Sequence, residues 1–117
     1  TNNNISDISA LAGLSNLQDI DLDNNDISDI SALTELTNLL WLTITDNNIS
    51  DISALAGLNI LQELDLNNNN VSDISALVDN VGFSDGDAVN LIGNPLSAES
   101  INIYIPQLEE RGVIVYY

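Results

Sequence analysis

The chain has 117 residues, 44% of them hydrophobic, which is one domain's worth of sequence with enough apolar content to bury a core. Eighteen acidic residues face a single basic one, Arg111, for a formal net charge of -17, and such a surface repels phosphate backbones and anionic headgroups, excluding nucleic-acid and membrane-surface roles. Cysteine and histidine are absent, which removes disulfides, thiolate nucleophiles, the usual general base and the commonest zinc ligands.

No apolar run approaches the ~20 residues of a membrane span, and no basic-then-apolar leader is present. A secreted or cell-surface protein is expected, with its leader outside this chain. The charge also fits a plainer purpose, solubility in salty surroundings such as the cytoplasm of a halophile.

In chain order, Thr1 to Asn4 read as the tail of a repeat whose strand is missing, so the chain is expected to be a fragment with earlier repeats or a cap upstream. From Ile5 the heptad ISDISAL appears, and it returns at Ile27 and Ile49, with VSDISAL at Val71, each 22 residues after the last. A period in the twenties with leucines at fixed offsets marks a solenoid. In the first copy the inward positions are Ile5, Ile8, Leu11, Leu14, Leu17, Ile20 and Leu22. Ile20 and Leu22 alternate with Asp19, Asp21 and Asp23, the period-2 pattern of a strand with one buried face. Between Ser6 and Leu14 the apolar residues fall three apart, which suits a short 3₁₀ or helical turn on the opposite side. Stacked copies make a parallel sheet over a continuous core.

Two polar columns accompany the repeat. Asn3, Asn25, Asn47, Asn69 and Asn94 recur just after each strand, where their amides can satisfy backbone groups left unpaired inside the bend. Asp7, Asp29, Asp51 and Asp73 each precede an Ile-Ser-Ala-Leu turn, placed to accept from its free N–H groups. Calcium binding and ligand binding are the competing readings of these columns; capping and a buried hydrogen-bond spine are the simpler ones.

After Leu77 the pattern loosens. VDNVGFSDGD holds extra length, with Phe83 in the place of a leucine, before Val89, Leu91 and Asn94 restore the phase. The chain therefore divides at residue 95 into repeats (1–95, copies starting at 5, 27, 49 and 71) and a C-terminal cap (96–117). In the cap, Ser97 and Glu99 open a helix with Ile101, Tyr104, Ile105 and Leu108 on one face. Pro106 should kink that helix, Gly112 should end it, and Val113 to Tyr117 should form a last strand.

These residues carry a resemblance. Leu17-Gln-Asp-Ile20-Asp-Leu22-Asp-Asn-Asn25 resembles the LxxLxLxxN pattern of leucine-rich repeats, and the 22-residue length with its ISDISAL turn resembles the internalin-like class of bacterial and archaeal surface proteins. The resemblance implies an α/β solenoid: a right-handed coil with a parallel β-sheet on its concave face, short 3₁₀ or helical turns on its convex face and a C-terminal helix-strand cap.

Extended concave faces are the usual binding surfaces of solenoids. Across the expected sheet, the outward residues form rows: Asp19, Trp41, Glu63 and Ala88; Asp21, Thr43, Asp65, Asn90 and Ile114; Asp23, Thr45, Asn67, Ile92 and Tyr116. Trp41, the one tryptophan, stands between Asp19 and Glu63 with Leu40 beside it. An aromatic ring flanked by carboxylates suits a lysine, arginine or quaternary amine. The expected ligand-binding face is thus Trp41, Leu40, Asp19, Asp21, Thr43, Glu63, Asp65 and Ile92, and the expected partner is a basic protein or peptide. Asp21 and Asp65, ~10 Å apart, approach the spacing of an inverting glycosidase pair, but the face is open to water and no enzymatic activity is expected. The alternative roles are a structural spacer and a calcium-stabilised arm with Asp23, Asp26 and Asp46 as oxygen ligands at one rim. No other metal or cofactor is implied. The uncapped N-terminal end should favour self-association.

Overall fold

Apolar residues that recur every 22 positions can be buried only if the coils lie side by side, and the fold follows from that stacking. The structure, a computed structural model, describes residues 3–117. Five short strands, β1 (Asp19–Asp21), β2 (Trp41–Thr43), β3 (Glu63–Asp65), β4 (Ala88–Asn90) and β5 (Ile114–Tyr116), form one parallel sheet in chain order. Each is joined to the next across the opposite side of the coil. In the first three copies that side carries 3₁₀ turns at Ser9–Leu11, Ser31–Leu33 and Ser53–Leu55, where the SAL of ISDISAL repeats. The fourth copy widens into one α-helical turn, α1 (Ser75–Asp79). The molecule is an α/β leucine-rich-repeat solenoid with its sheet on the concave face. Of the expected remnant at Thr1–Asn4, residues 1 and 2 lie outside the described residues.

The core is the column of inward side chains. Ile27, Leu33, Leu36, Leu39, Leu42 and Ile44 in the second copy are fully buried, as are their counterparts in the third. Phe83 is buried 22 residues after Leu61, as the sequence implies. The first copy departs from expectation. Ile8 and Ile20 are buried, but Leu11, Leu17 and Leu22 are only partly so, and Ile5 and Leu14 are exposed. Among the described residues only one coil packs against them, so half of each side chain's wall is missing.

The asparagine column is a hydrogen-bond spine. Asn47 Oδ1 accepts the Ile27 N–H at 2.9 Å, while its Nδ2 donates to Ile44 O in its own coil and Leu22 O in the coil before. Asn69 and Asn94 repeat the arrangement, bridging to Ile44 O and Leu66 O. Each amide therefore ties two coils together and pairs backbone groups that would otherwise be orphaned inside the bend. Asn3 is exposed and meets its neighbour through its backbone, donating to Asn24 O. The residue before each ladder asparagine turns left-handed: Asn24, Asp46 and Asn68 at φ 58°, 51° and 54°, and Gly93 in the fourth copy at 79°. Asn and Asp tolerate that region best among residues with a Cβ.

The Asp column caps the convex turns. Asp7, Asp29, Asp51 and Asp73 accept the N–H of the serine two residues on at 2.8, 2.8, 2.9 and 2.8 Å. Bonding to the serine backbone holds the carboxyls of Asp7, Asp29 and Asp51 below their ordinary pKa.

At the C-terminus the helix does not simply kink. A π-helical turn, Ser100–Tyr104, runs into α2 (Ile105–Glu110) with Pro106 in its first turn. Pro106 has no N–H to give the carbonyl one turn back and its ring crowds that carbonyl, so the preceding turn widens. Ile105, Leu108 and Val113 seal the core, whereas Ile101, expected on the same face, is exposed because the widened turn rotates it outward. Arg111 donates from Nη1 to Asn80 O at 3.1 Å and from Nη2 to Val78 O at 2.7 Å, closing the end of α1. Asn80 is itself fully buried and donates to Leu55 O and Leu58 O. Nothing in the repeat pattern points to either tie, since both residues lie where the pattern lapses.

Candidate functional site on the outer face of the sheet

Strand register decides which outward side chains meet. Asp19 pairs with Trp41, Trp41 with Glu63, Glu63 with Ala88, and Ala88 with Ile114. The second row runs Asp21, Thr43, Asp65, Asn90 and Tyr116. The first four strands match the expected rows. The fifth does not: Ile114 lies in the Trp41 row and Tyr116 in the Thr43 row, each one row from its expected place. The cap strand follows α2 and the Gly112 turn, where no repeat period carries the phase across.

Trp41 is 41% exposed, with carboxylates on the neighbouring strands to either side. Adjacent strands lie about 4.8 Å apart, so Asp19 and Glu63 flank Trp41 one strand away on either side. Asp19, Asp21 and Glu63 are exposed, and Thr43 and Asp65 are half-buried between them. Leu40 is half-buried at the entrance to β2, where its N–H donates to Gln18 O at 2.8 Å. Ile92 stands just beyond β4 and is 50% exposed. All eight residues expected on the face therefore lie on or beside the sheet.

Local hydrogen bonds hold several of these carboxylates. Asp21 Oδ1 accepts the Asp23 N–H at 3.1 Å, and Asp65 Oδ1 accepts the Asn67 N–H at 3.0 Å. Such bonds restrain the carboxylates at the strand ends. Of the rim acids, Asp23 Oδ1 accepts the Thr45 N–H at 2.7 Å and Asp46 Oδ1 accepts from Asn68 Nδ2 at 2.9 Å, while Asp26 is exposed. Among the described residues no group of three acids is placed to hold a metal ion.

Asp21 and Asp65 share a row two strands apart. Their face is open, and no histidine or cysteine is available to serve as base or nucleophile. Of the molecule's depressions, one of about 440 Å³ touches the face at the end of β1, lined by Asp21 and Asp23, and two larger ones lie off it. One of about 470 Å³ sits between convex turns, lined by Asp29, Ser31, Asp51 and Ser53. Another of about 500 Å³ follows the strand-end turns, lined by Asn24, Asp46, Asn48 and Asn68. The convex one is walled by carboxylates already used for capping, and none of the three contains Trp41.

A family model described as leucine-rich repeats, two copies, matches residues 1–35. Solved structures extend the likeness to nearly the whole chain. An internalin C2 from Listeria monocytogenes is 38% identical with a TM-score of 0.76, over 94% of this chain and 46% of that one. A second Listeria monocytogenes internalin, inlF, is 32% identical with a TM-score of 0.83, over 97% of this chain and 33% of that one. A leucine-rich-repeat protein from Leptospira interrogans is 22% identical with a TM-score of 0.83, over 99% and 29%, and shares the fold. The chain thus spans less than half the length of each. No curated protein matches the sequence.

Proposed function

Because this chain belongs to the internalin-like leucine-rich repeats, we propose that it is a non-catalytic, protein- or peptide-binding module of a larger, surface-exposed protein, taking a basic partner on the acidic face around Trp41. Leucine-rich-repeat proteins are in general non-catalytic binding modules. The observation that carries the finer reading is Trp41, half-exposed and in register between Asp19 and Glu63. A cationic side chain seated over the indole gains cation–π attraction and two flanking charges at once. Arg111 is committed to the end of α1, so no basic side chain of the chain itself competes for the face. Among the described residues, no helix is long and apolar enough to cross a membrane. The surface location rests on the kind of protein the internalin-like relatives are.

The test is titration with a lysine-rich peptide. Truncating a central tryptophan commonly costs ~2 kcal/mol, about thirtyfold in affinity, so Trp41→Ala should weaken binding by that order. The melting temperature should stay nearly constant, because the side chain points away from the core. Association with the unmodified chain should weaken as salt is added. Full affinity in the Trp41→Ala variant would sink the assignment.

A further inference from the structure

The face is divided along its strand order. The outward positions of β1 and β3 are all acidic: Asp19, Asp21, Glu63 and Asp65. The outward positions of β4 and β5 carry no charge: Ala88, Asn90, Ile114 and Tyr116. Ile114 is 48% exposed, Tyr116 51% and the adjoining Ile92 50%. Single exposed apolar residues are ordinary. Three large ones gathered on the last two coils of a chain of net charge -17 need a reason, because solubility gains nothing from them.

Resting on the function proposed above, we infer that β4 and β5 carry an apolar subsite continuous with the acidic one, and that the partner is a single segment with a basic end and an aliphatic or aromatic end. The basic end lies over β1 to β3 and the apolar end over β4 and β5. The strand spacing sets the reach: from β1 to β5 is four steps, about 19 Å, and from Trp41 to Ile114 three steps, about 14 Å. A segment of roughly six extended residues, at about 3.3 Å each, spans the whole face. Charge complementarity orients it. An apolar group laid over Asp21 and Asp65 would strip water from carboxylates without replacing their hydrogen bonds, and a lysine laid over Ile114 would gain no partner. Each end therefore has one favourable place, and the two ends act differently. The basic end governs the encounter and its salt dependence, whereas the apolar end governs residence time.

Two probes separate these effects: a peptide of three lysines followed by three leucines, and one of three lysines followed by three serines. Trp41, the only tryptophan, reports binding of either through its fluorescence. The leucine peptide should bind about tenfold more tightly than the serine peptide. A chain carrying Ile92→Ser, Ile114→Ser and Tyr116→Ser together should lose that tenfold preference while keeping the same salt dependence, which the carboxylates set. All three side chains are about half exposed, and an unchanged melting temperature would verify that the triple variant folds. Equal affinity of the two peptides for the unmodified chain would overturn the apolar subsite while leaving the acidic site standing. Binding of neither would sink both readings. A dimer of the unmodified chain that disappears in the triple variant would give the patch to a second copy and overturn the inference.

Discussion

Residues 5–11 and residues 49–55 are the same seven amino acids, Ile-Ser-Asp-Ile-Ser-Ala-Leu, in two different surroundings. Local structure is shared: each copy ends in a 3₁₀ turn over Ser-Ala-Leu, and each Asp accepts the serine N–H at 2.8 or 2.9 Å. Burial is not shared. Ile5 is 42% exposed and Leu11 only partly covered, whereas Ile49 and Leu55 are completely buried. Backbone conformation in this repeat is a property of the heptad. Hydrophobic stabilisation is a property of the pair of coils between which the heptad lies.

That contrast can be broken most directly with leucine. Leu55→Ala should destabilise the chain by about 3 kcal/mol, the usual cost of a cavity at a closed site. Leu11→Ala, at the same repeat position, should cost about 1 kcal/mol or less, because a partly solvated site loses less transfer energy and leaves no closed cavity. Urea denaturation of the two variants measures both. Equal losses would mean that the first coil is covered in solution, and light scattering would then show a second copy of the chain against it.

The asparagine spine gives a smaller contrast of the same kind. Asn47→Ala strands the buried Ile27 N–H and removes one of the two amide donors on the carbonyls of Leu22 and Ile44, which keep Asn25 and Asn69, and should cost about 2 kcal/mol. Asn25 serves the exposed Ile5 through a 3.2 Å bond and otherwise donates only within its own bend. Water can replace part of that, so Asn25→Ala should cost about half as much. A reversed order in thermal or urea denaturation would show that the cross-coil bond contributes nothing.

The smallest effects are electrostatic and sharpen the comparison along the convex column. Asp29 feels the charges of Asp7 and Asp51, while its serine bond lowers its pKa more strongly than those charges raise it. For Asp7, Asp29 and Asp51 the folded pKa lies below the ordinary 3.8. Their capping stability is therefore complete above that value and is lost as pH falls through the folded pKa values beneath it. Salt acts separately. Coils about 5 Å apart lie within the ~10 Å Debye length at 0.1 M, so a chain of net charge -17 should gain a few degrees in melting temperature between low and molar salt. A melting temperature indifferent to salt would show that the acidic columns do not repel one another enough to matter.

The sequence by itself determined the repeat, the alternation of inward and outward residues in the first four strands, the asparagine spine, the capping aspartates and the place of Phe83. It could do so because a 22-residue period carries phase from one copy to the next, and because each of these bonds is made locally or to the equivalent residue one period away. The outward position of Trp41 between Asp19 and Glu63 was legible for the same reason. Only the tertiary structure decided the rest. Ile5 and Leu14 are exposed because burial requires a neighbouring coil on each side, which no single copy encodes. Ile101 turns outward because Pro106 widens the turn before it. The ties from Arg111 and Asn80 join residues that no period relates, and Ile114 enters the Trp41 row because β5 takes its register from its hydrogen bonds to β4. Past Pro95 the repeat ceases, and from there position along the chain no longer specifies position across the sheet.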